Sequence, residues 1–374
     1  MTDYRYVDTA AALAEVIAAA RAEPLVAADT EAASFHRYRD RVYLVQLSTR
    51  RTTTVIDPLG LPDFSPLGSL LADPGVEKVF HDADYDMRTL DRDYGFRARH
   101  LFDTRIAAQL AGEPAIGLAA LLEKYVGVRL TKAHQRADWS QRPLSPAMLA
   151  YAADDTRHLP RLRDAMRERL TGLGRLAWAE EEFRHLEDLR WTGPAGDGLA
   201  YQRIKGAKAL APRSLAALRE LVEWRERVAA ERDTALFRVI SNEALLGVSR
   251  ALPRSLRELG SIRELPASLA RRHGPALVAA VERALTLAER ELPTRERTPR
   301  APHDPELEGR VERLKAARNA VAQQLGLDAG VLCGKSLLEA IARRRPRDLA
   351  ALAQIDEVRK WQVEVLGAAL LAAL

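Results

Sequence analysis

The chain has few of the residues that build covalent or zinc-based frameworks. Cys333 is its one cysteine, so neither an intrachain disulfide nor a cysteine metal cluster is possible. The eight histidines are scattered without a His-x₃-His pair, which argues against a zinc site. The longest apolar tail, from Val365 to Leu374, is too short to span a bilayer. Met1-Thr2-Asp3 is not followed by the basic run and apolar segment of a signal peptide. We therefore expect no signal peptide, a cytoplasmic location and no membrane partner.

The bulk composition is that of a soluble globular protein with more than one domain. The 374 residues are 47% hydrophobic and 29% charged, which is ample for a buried core. The net charge is +5 and the pI is about 9.4. This balance tolerates a polyanionic partner such as a nucleic acid without proving one. We infer no obligate protein partner from the sequence.

The first 110 residues alternate strand and helix signals. An apolar run at 25–28 ends in acidic residues, and a helix is expected from near Asp82 to Tyr94. Two β-rich runs, Val42–Leu47 and Thr53–Ile56, are separated by a short polar gap and should form an antiparallel hairpin. Together these signals predict a mixed sheet flanked by helices. From Ile106 to about Leu189 the period is helical.

Two linkers and an internal repeat organise the rest of the chain. Residues 191–198 form a loop by composition, and residues 293–305 contain four prolines. An Arg-x-x-Pro-Arg-x-Leu-x-x-Leu run starting at Arg250 recurs at Arg343, an offset of 93 residues. We therefore predict three domains: an α/β domain over 1–190 and two copies of a small all-α domain over 205–290 and 306–374.

Asp29 and Glu31 follow the apolar run at 25–28. Residues i and i+2 of a strand point to one face, so the two carboxylates should lie together at the strand exit. Such a pair could bind one metal ion or bridge two, although Asp-x-Glu is also common in exposed turns. Asp86 follows another short predicted strand, Val76–Phe80, and lies on a predicted helix that also carries ordinary surface acids. Neither segment specifies a metal site alone.

Tyr151 and Asp155 form the sharpest pair in the sequence. Ser145 and Pro146 predict a helix start, because serine suits the N-cap and proline suits the first helical position. Residues i and i+4 then share one helix face, which places a phenol beside a carboxylate. A buried tyrosine bonded to a helix aspartate would give the same pattern. Asp154 lies about 100° round the helix and is predicted to be structural.

The order and spacing of these motifs resemble the DEDD exonuclease superfamily in its tyrosine branch. The motifs are Asp-x-Glu at a strand end, Phe-His-x₄-Asp and Tyr-x₃-Asp on a late helix. The flanking runs, including Val45-Gln46-Leu47 and Asp138-Trp139, are similar to those of the ribonuclease D family, and the repeated helical unit resembles the HRDC domain. The resemblance implies a ribonuclease H-like exonuclease domain, with a mixed sheet flanked by helices, followed by two all-α HRDC-like domains.

The resemblance also implies a two-metal mechanism that releases nucleoside 5′-monophosphates from an RNA 3′ end, with 3′-extended tRNA precursors as expected substrates. Two cations, Mg²⁺ or Mn²⁺, would be held by carboxylates, with Tyr151 orienting the attacking water. Asp29, Glu31 and Asp155 would hold one ion, and Asp29 with Asp86 the other. The helical copies would bind longer RNA, so cleavage of short oligonucleotides should survive deletion of residues 205–374.

Further predictions and alternatives remain open at this stage. Lys132 and Arg142 precede the last motif and are predicted to contact substrate phosphates, although a solvated cationic loop fits equally well. Gly334-Lys335-Ser336 resembles the end of a phosphate-binding loop. That motif requires a glycine five residues before Gly334, where this chain has Ala329, so we reject nucleotide binding there. A DNA 3′–5′ exonuclease and a catalytically silent nucleic-acid-binding scaffold are the rival functions.

Overall fold

A computed structural model of the protein describes residues 4–131, 133–193, 198–293 and 304–374. The chain divides into two compact units. The first comprises Met1–Ala32, Val42–Trp191 and Arg300–Leu374, and the second comprises Ala33–Arg41 and Thr192–Pro299. Within the described residues, no helix is both long enough and apolar enough to cross a membrane.

A six-stranded mixed sheet is the centre of the first unit. Its spatial order is β1-β4-β3-β2-β5-β6, with β2–β3 and β3–β4 antiparallel and the other pairs parallel. The predicted hairpin and mixed sheet are therefore confirmed. The central strand β2 is apolar and buried at its start and polar at its end, which delivers Asp29 and Glu31 to the edge of the core. The strands are β1 (Arg5–Val7), β2 (Leu25–Ala32), β3 (Val42–Ser48), β4 (Thr53–Ile56), β5 (Glu77–Phe80) and β6 (Leu101–Asp103).

Among the described residues, eight α-helices flank this sheet, with a short 3₁₀ turn at Pro58–Gly60. Thr9 caps the first helix by accepting a hydrogen bond from the Ala12 amide, as its sequence position predicts. The helices are α1 (Ala10–Arg21), α2 (Ser65–Leu71), α3 (Asp84–Tyr94), α4 (Thr104–Ala111), α5 (Leu118–Val126), α6 (Pro146–Arg157), α7 (Leu159–Gly172) and α8 (Leu176–Glu187).

Helix α3 begins two residues later than the sequence suggests. Asp82 has a φ of 72°, in the left-handed region, so the chain turns there instead of continuing as helix. The buried Asp103 carboxylate accepts a hydrogen bond from the Ala83 amide at 2.7 Å and so satisfies an amide at the start of the helix. Asp86 consequently lies in the first turn of α3.

The second unit is helical and has its own hydrophobic core. Tyr201, Leu218, Trp224, Leu245 and Leu277 are among its buried side chains. Residues 33–41, which follow β2 in the chain, belong to this unit. Its helices are α9 (Ala200–Arg203), α10 (Pro212–Arg232), α11 (Leu236–Val239), α12 (Asn242–Ala251), α13 (Leu256–Gly260) and α14 (Ala267–Thr286), with 3₁₀ turns at Ala207–Ala209 and Glu289–Glu291.

In the described segment 304–374, five further helices reproduce the arrangement of α10–α14. The starts of the five helices lie 93 residues after the starts of α10 to α14, as the sequence repeat predicts. The side-chain packing is also repeated, since Leu256 lies against Gly274 in the first copy and Leu349 lies against Gly367 in the second. The helices of the second copy are α15 (Pro305–Leu325), α16 (Ala329–Leu332), α17 (Lys335–Arg344), α18 (Leu349–Ala353) and α19 (Lys360–Ala372).

The second copy shares a core with the sheet. Leu314, Leu338 and Trp361 belong to the same cluster of buried apolar residues as Leu121 and Leu162 of the α/β part. The α/β domain and the second copy are therefore one packed body, although the first copy separates them in sequence.

Candidate active site

Strand β2 places Asp29 and Glu31 on one face of the sheet. In the antiparallel pairing with β3, Asp29 lies opposite Gln46 and Glu31 lies opposite Leu44. The register shifts immediately after Glu31, so the strand is irregular just beyond the second acid. The period-2 prediction for these two carboxylates agrees with the observed strand.

Helix α6 carries Tyr151 and Asp155. Ser145 caps it by accepting a hydrogen bond from the Met148 amide at 3.2 Å, and Pro146 is its first residue. The hydroxyls of Thr156 on α6 and Ser48 on β3 lie 2.8 Å apart in a buried hydrogen bond, which ties the helix to the sheet. Helix α6 is therefore held against the sheet.

Three of the predicted acids converge. Carboxylate oxygens of Asp29, Glu31 and Asp155 all lie within 4.8 Å of one another. Asp86 lies beside this group, because its carboxylate accepts a hydrogen bond from the Thr30 hydroxyl at 2.5 Å and Thr30 separates the two β2 acids. Four partly or fully buried carboxylates so arranged suit a hard divalent cation such as Mg²⁺ or Mn²⁺.

Burial and mutual repulsion set the protonation of this cluster. Burial is the largest cause that raises the pKa of Asp29, Glu31 and Asp86 well above the usual carboxyl range, and neighbouring carboxylates add to it. Burial, and then the charge of Asp154, raises the pKa of Asp155 to about 7. A cation entering this cluster would therefore displace protons near neutral pH.

The phenol of Tyr151 is held by aromatic neighbours. Its ring centroid lies 6.2 Å from the nearly parallel Trp139 ring and 5.7 Å from the His134 ring. Burial, followed by the charges of Asp155, Glu31 and Asp29, raises the pKa of Tyr151 above its usual value. The hydroxyl thus stays protonated at physiological pH. Trp139 appears in the sequence only as part of a flanking run, so its packing role was not predicted.

Arg142 is engaged by the protein itself. Its guanidinium pairs with both carboxylate oxygens of Asp57 and donates to the Tyr43 carbonyl at 2.8 Å. Its contact with RNA phosphate stays a prediction, but these donors are already used internally. Asp57 was not singled out in the sequence because it lies 85 residues from Arg142. Lys132, the other predicted phosphate contact, lies outside the described residues.

His81 in the Phe-His-x₄-Asp motif, Asp154 and the run at 334–336 lie outside the carboxylate cluster. His81 is held by a 2.9 Å hydrogen bond between its Nδ1 and the Thr104 hydroxyl, and burial lowers its pKa to about 4. Asp154 forms an ion pair with Arg157 at 3.3 Å. Gly334-Lys335-Ser336 begins α17, a helix that packs in the second helical copy without a preceding strand.

Known proteins share both the α/β domain and the two helical copies. A family model described as 3′–5′ exonuclease matches residues 4–171, and the HRDC domain model matches residues 214–281 and 308–374. Ribonuclease D of Escherichia coli strain K12 is 37% identical over 78% of this chain and 77% of its own length. Ribonuclease D of Pseudomonas paraeruginosa is 33% identical over 97% of this chain and 96% of its own length.

Solved structures agree over the same span. The crystal structure of Escherichia coli RNase D, titled an exoribonuclease involved in structured RNA processing, covers 99% of this chain with a TM-score of 0.72 and 31% identity. The match includes 98% of that structure. A protein from Bifidobacterium adolescentis covers 99% of this chain, and 97% of its own, with a TM-score of 0.84 and 25% identity. The chain belongs to the ribonuclease D family of 3′–5′ exoribonucleases.

Proposed function

We propose that Asp29, Glu31, Asp86 and Asp155 hold two divalent cations, Mg²⁺ or Mn²⁺, and that Tyr151 completes the catalytic group. The observation that carries this proposal is the convergence of three carboxylates within 4.8 Å, with Asp86 bonded to Thr30 beside them. Asp29, Glu31 and Asp155 form one ligand set, and Asp29 with Asp86 forms the other. When bound, the cations activate the attacking water and stabilise the leaving 3′-oxygen.

Tyr151 has the features of a residue that orients water. Burial and the neighbouring carboxylates raise its pKa, so the phenol keeps its proton and can donate a hydrogen bond to a water or accept one from it. The Trp139 ring packs beside the phenol ring, with the two ring centroids 6.2 Å apart. The side chain can therefore hold a water in one orientation toward the terminal phosphorus.

The substrate of this chemistry is RNA in our proposal, with 3′-extended tRNA precursors among the natural targets and the cytoplasm as the location. Family membership favours RNA over the DNA alternative, and the complete acid set argues against a silent scaffold. We propose domain limits of 1–190 for the nuclease and 205–290 and 306–374 for the two HRDC copies. The matches of the HRDC model at 214–281 and 308–374 support these limits.

Asp155→Asn is the decisive substitution, and Asp154→Asn on the same helix is its matched control. We expect Asp155→Asn to reduce turnover of a 3′-extended tRNA by at least about 100-fold, because a charged ligand is lost. Asp154→Asn should keep turnover within severalfold of the wild-type rate, since Asp154 pairs with Arg157 and acts on Asp155 only through its charge. The measurement is a Mn²⁺-dependent time course that resolves every product length and identifies the released mononucleotides.

A matched DNA oligomer is the substrate control. Near-normal turnover by folded Asp155→Asn would refute the ligand assignment, whereas faster hydrolysis of the DNA would refute the substrate assignment. Release of 3′-monophosphates would contradict the proposed direction of bond cleavage.

A further inference from the structure

Gln46 on β3 is a fully buried amide without a hydrogen-bond partner. Its exposed fraction is 0%, and neither its Nε2 nor its Oε1 is hydrogen-bonded within the described chain. Burying an unpaired amide costs on the order of 1–3 kcal/mol. An aliphatic side chain of similar volume would avoid this cost, so packing alone does not account for glutamine at this position.

The sheet register places Gln46 beside the carboxylate cluster. Gln46 lies directly opposite Asp29 in the antiparallel pair, so the two side chains share one face of the sheet. Directly opposed residues have Cβ atoms about 5 Å apart, a distance that a carboxamide can bridge. Ser48 lies on the same face, two residues along β3, and is bonded to Thr156 of α6. The face that bears Gln46 is therefore the one covered by the helix that carries Asp155.

The neighbouring hydroxyl on this face, that of Ser48, is satisfied. It lies within hydrogen-bond distance of Thr53 and Thr156, at 3.0 and 2.8 Å. On the described part of this face, by contrast, both the amide nitrogen and the amide oxygen of Gln46 lack a hydrogen-bond partner. Its location therefore suggests a role in the reaction site and not in the fold.

We propose that Gln46 is a positioning residue. Its amide, which has no partner in the structure, turns to donate its N–H to the Asp29 carboxylate when the cations are bound, and so fixes the orientation of that carboxylate toward them. This inference rests on the proposed function. A neutral amide suits the task because it offers a donor without adding another negative charge to four acids. Partners that orient a metal ligand in this way change metal affinity by about 10- to 100-fold when removed.

The test compares Gln46→Met with Leu47→Met in the full-length protein. Both changes are close in volume and buried on β3, but consecutive strand residues face opposite sides, so Leu47 points away from Asp29. Calorimetric titration with Mn²⁺ gives the metal affinity, and denaturant unfolding without metal gives the stability. Steady-state cleavage of a short RNA separates kcat from KM.

We expect Gln46→Met to bind Mn²⁺ about tenfold more weakly than the wild type and to lower kcat without changing KM. Metal-free unfolding should be unchanged or shifted to higher denaturant, because an unpaired amide has been removed. Leu47→Met should retain wild-type Mn²⁺ affinity.

Each other result overturns the inference in a recognisable way. If Gln46→Met binds Mn²⁺ like the wild type, Gln46 does not position a ligand, while the carboxylate assignment stands. If Gln46→Met unfolds early or fails to fold without metal, the glutamine is structural. If the wild type itself does not bind Mn²⁺, the proposed metal site fails together with the role of Gln46.

Discussion

The first helical copy, α10–α14, packs around a core of its own, whereas the second, α15–α19, shares the core of the α/β domain. The two copies have equivalent helices, so the backbone of the repeat does not explain the difference. The difference lies in side chains at a few equivalent positions. One helical module can therefore serve as an independent unit or as part of a neighbouring domain.

Helix α8 provides the main docking surface for the second copy. Trp178 on α8 stacks on Trp361 of α19, with ring centroids 5.1 Å apart and planes at 16°. Glu181 accepts hydrogen bonds from the backbone amides of Lys360 and Trp361 and so caps α19 from outside its own domain. Glu182 accepts from the Trp361 indole at 2.8 Å.

The equivalent positions of the first copy lack these side chains. Trp361 corresponds to Ser268, and Gly326, at the end of α15, corresponds to Asp233. Gly326 adopts a φ of 63°, and its carbonyl oxygen would lie only 2.4 Å from a Cβ atom added to Gly112 of the α/β domain. These positions are therefore where the second copy has been adapted to its neighbour.

The largest expected effect comes from removing residues 304–374. The sequence alone predicts that the nuclease survives without its helical copies, but the shared core predicts the opposite for this segment. A chain of residues 1–293 should lose cooperative unfolding and Mn²⁺-dependent cleavage of short RNA, because its exposed core surface is left uncovered. Circular dichroism and a cleavage assay measure the two properties.

Co-expression supplies the control for this truncation. Residues 304–374 provided as a separate chain should restore folding and cleavage, because the docking contacts are non-covalent. Full activity of residues 1–293 alone would show that the second copy is dispensable and would remove the contrast between the copies.

A pair of tryptophan substitutions gives the next largest effect. Trp361→Ala and Trp224→Ala each remove a buried ring from one copy and should cost about 3–5 kcal/mol of local stability. Hydrogen exchange should rise in α8 for Trp361→Ala, since Trp178 loses its stacking partner, and in α12 and α14 for Trp224→Ala, which packs on His273. Equal deprotection of α8 by both variants would contradict the division into two cores.

Gly112→Ala and Gly127→Ala give the smallest and most specific effect. Both glycines lie at helix ends with φ near +75°. Backbone strain in an alanine should therefore lower the free energy of unfolding by a similar amount, about 1–2 kcal/mol, at either position. A Cβ at Gly112 also meets the Gly326 carbonyl, whereas nothing lies within 4 Å of one at Gly127. Gly112→Ala should therefore lower the free energy of unfolding by about 1–3 kcal/mol more. Equal denaturant midpoints for the two variants would mean that the contact between Gly112 and Gly326 accommodates a methyl group without strain.

Local periodicity predicted much of the fold and the candidate site. The i, i+2 spacing of Asp29 and Glu31 puts both side chains on one face of a strand. The i, i+4 spacing of Tyr151 and Asp155 puts both on one face of a helix. Long-range partners could not be read from local sequence, because they depend on how distant elements pack. The pairing of Arg142 with Asp57 and the docking of Trp361 on Glu182, 179 residues away, are of this kind.

The shared core also orders events during biosynthesis. Residues 304–374 leave the ribosome after the sheet and the first helical copy have been made, yet they complete the packing around α8. We expect the nascent sheet to stay incompletely packed throughout that interval, which at 5–20 residues per second lasts on the order of ten seconds. We expect chaperones that bind apolar surface to bind this chain at α8, whose contact surface for Trp361 is still exposed at that time.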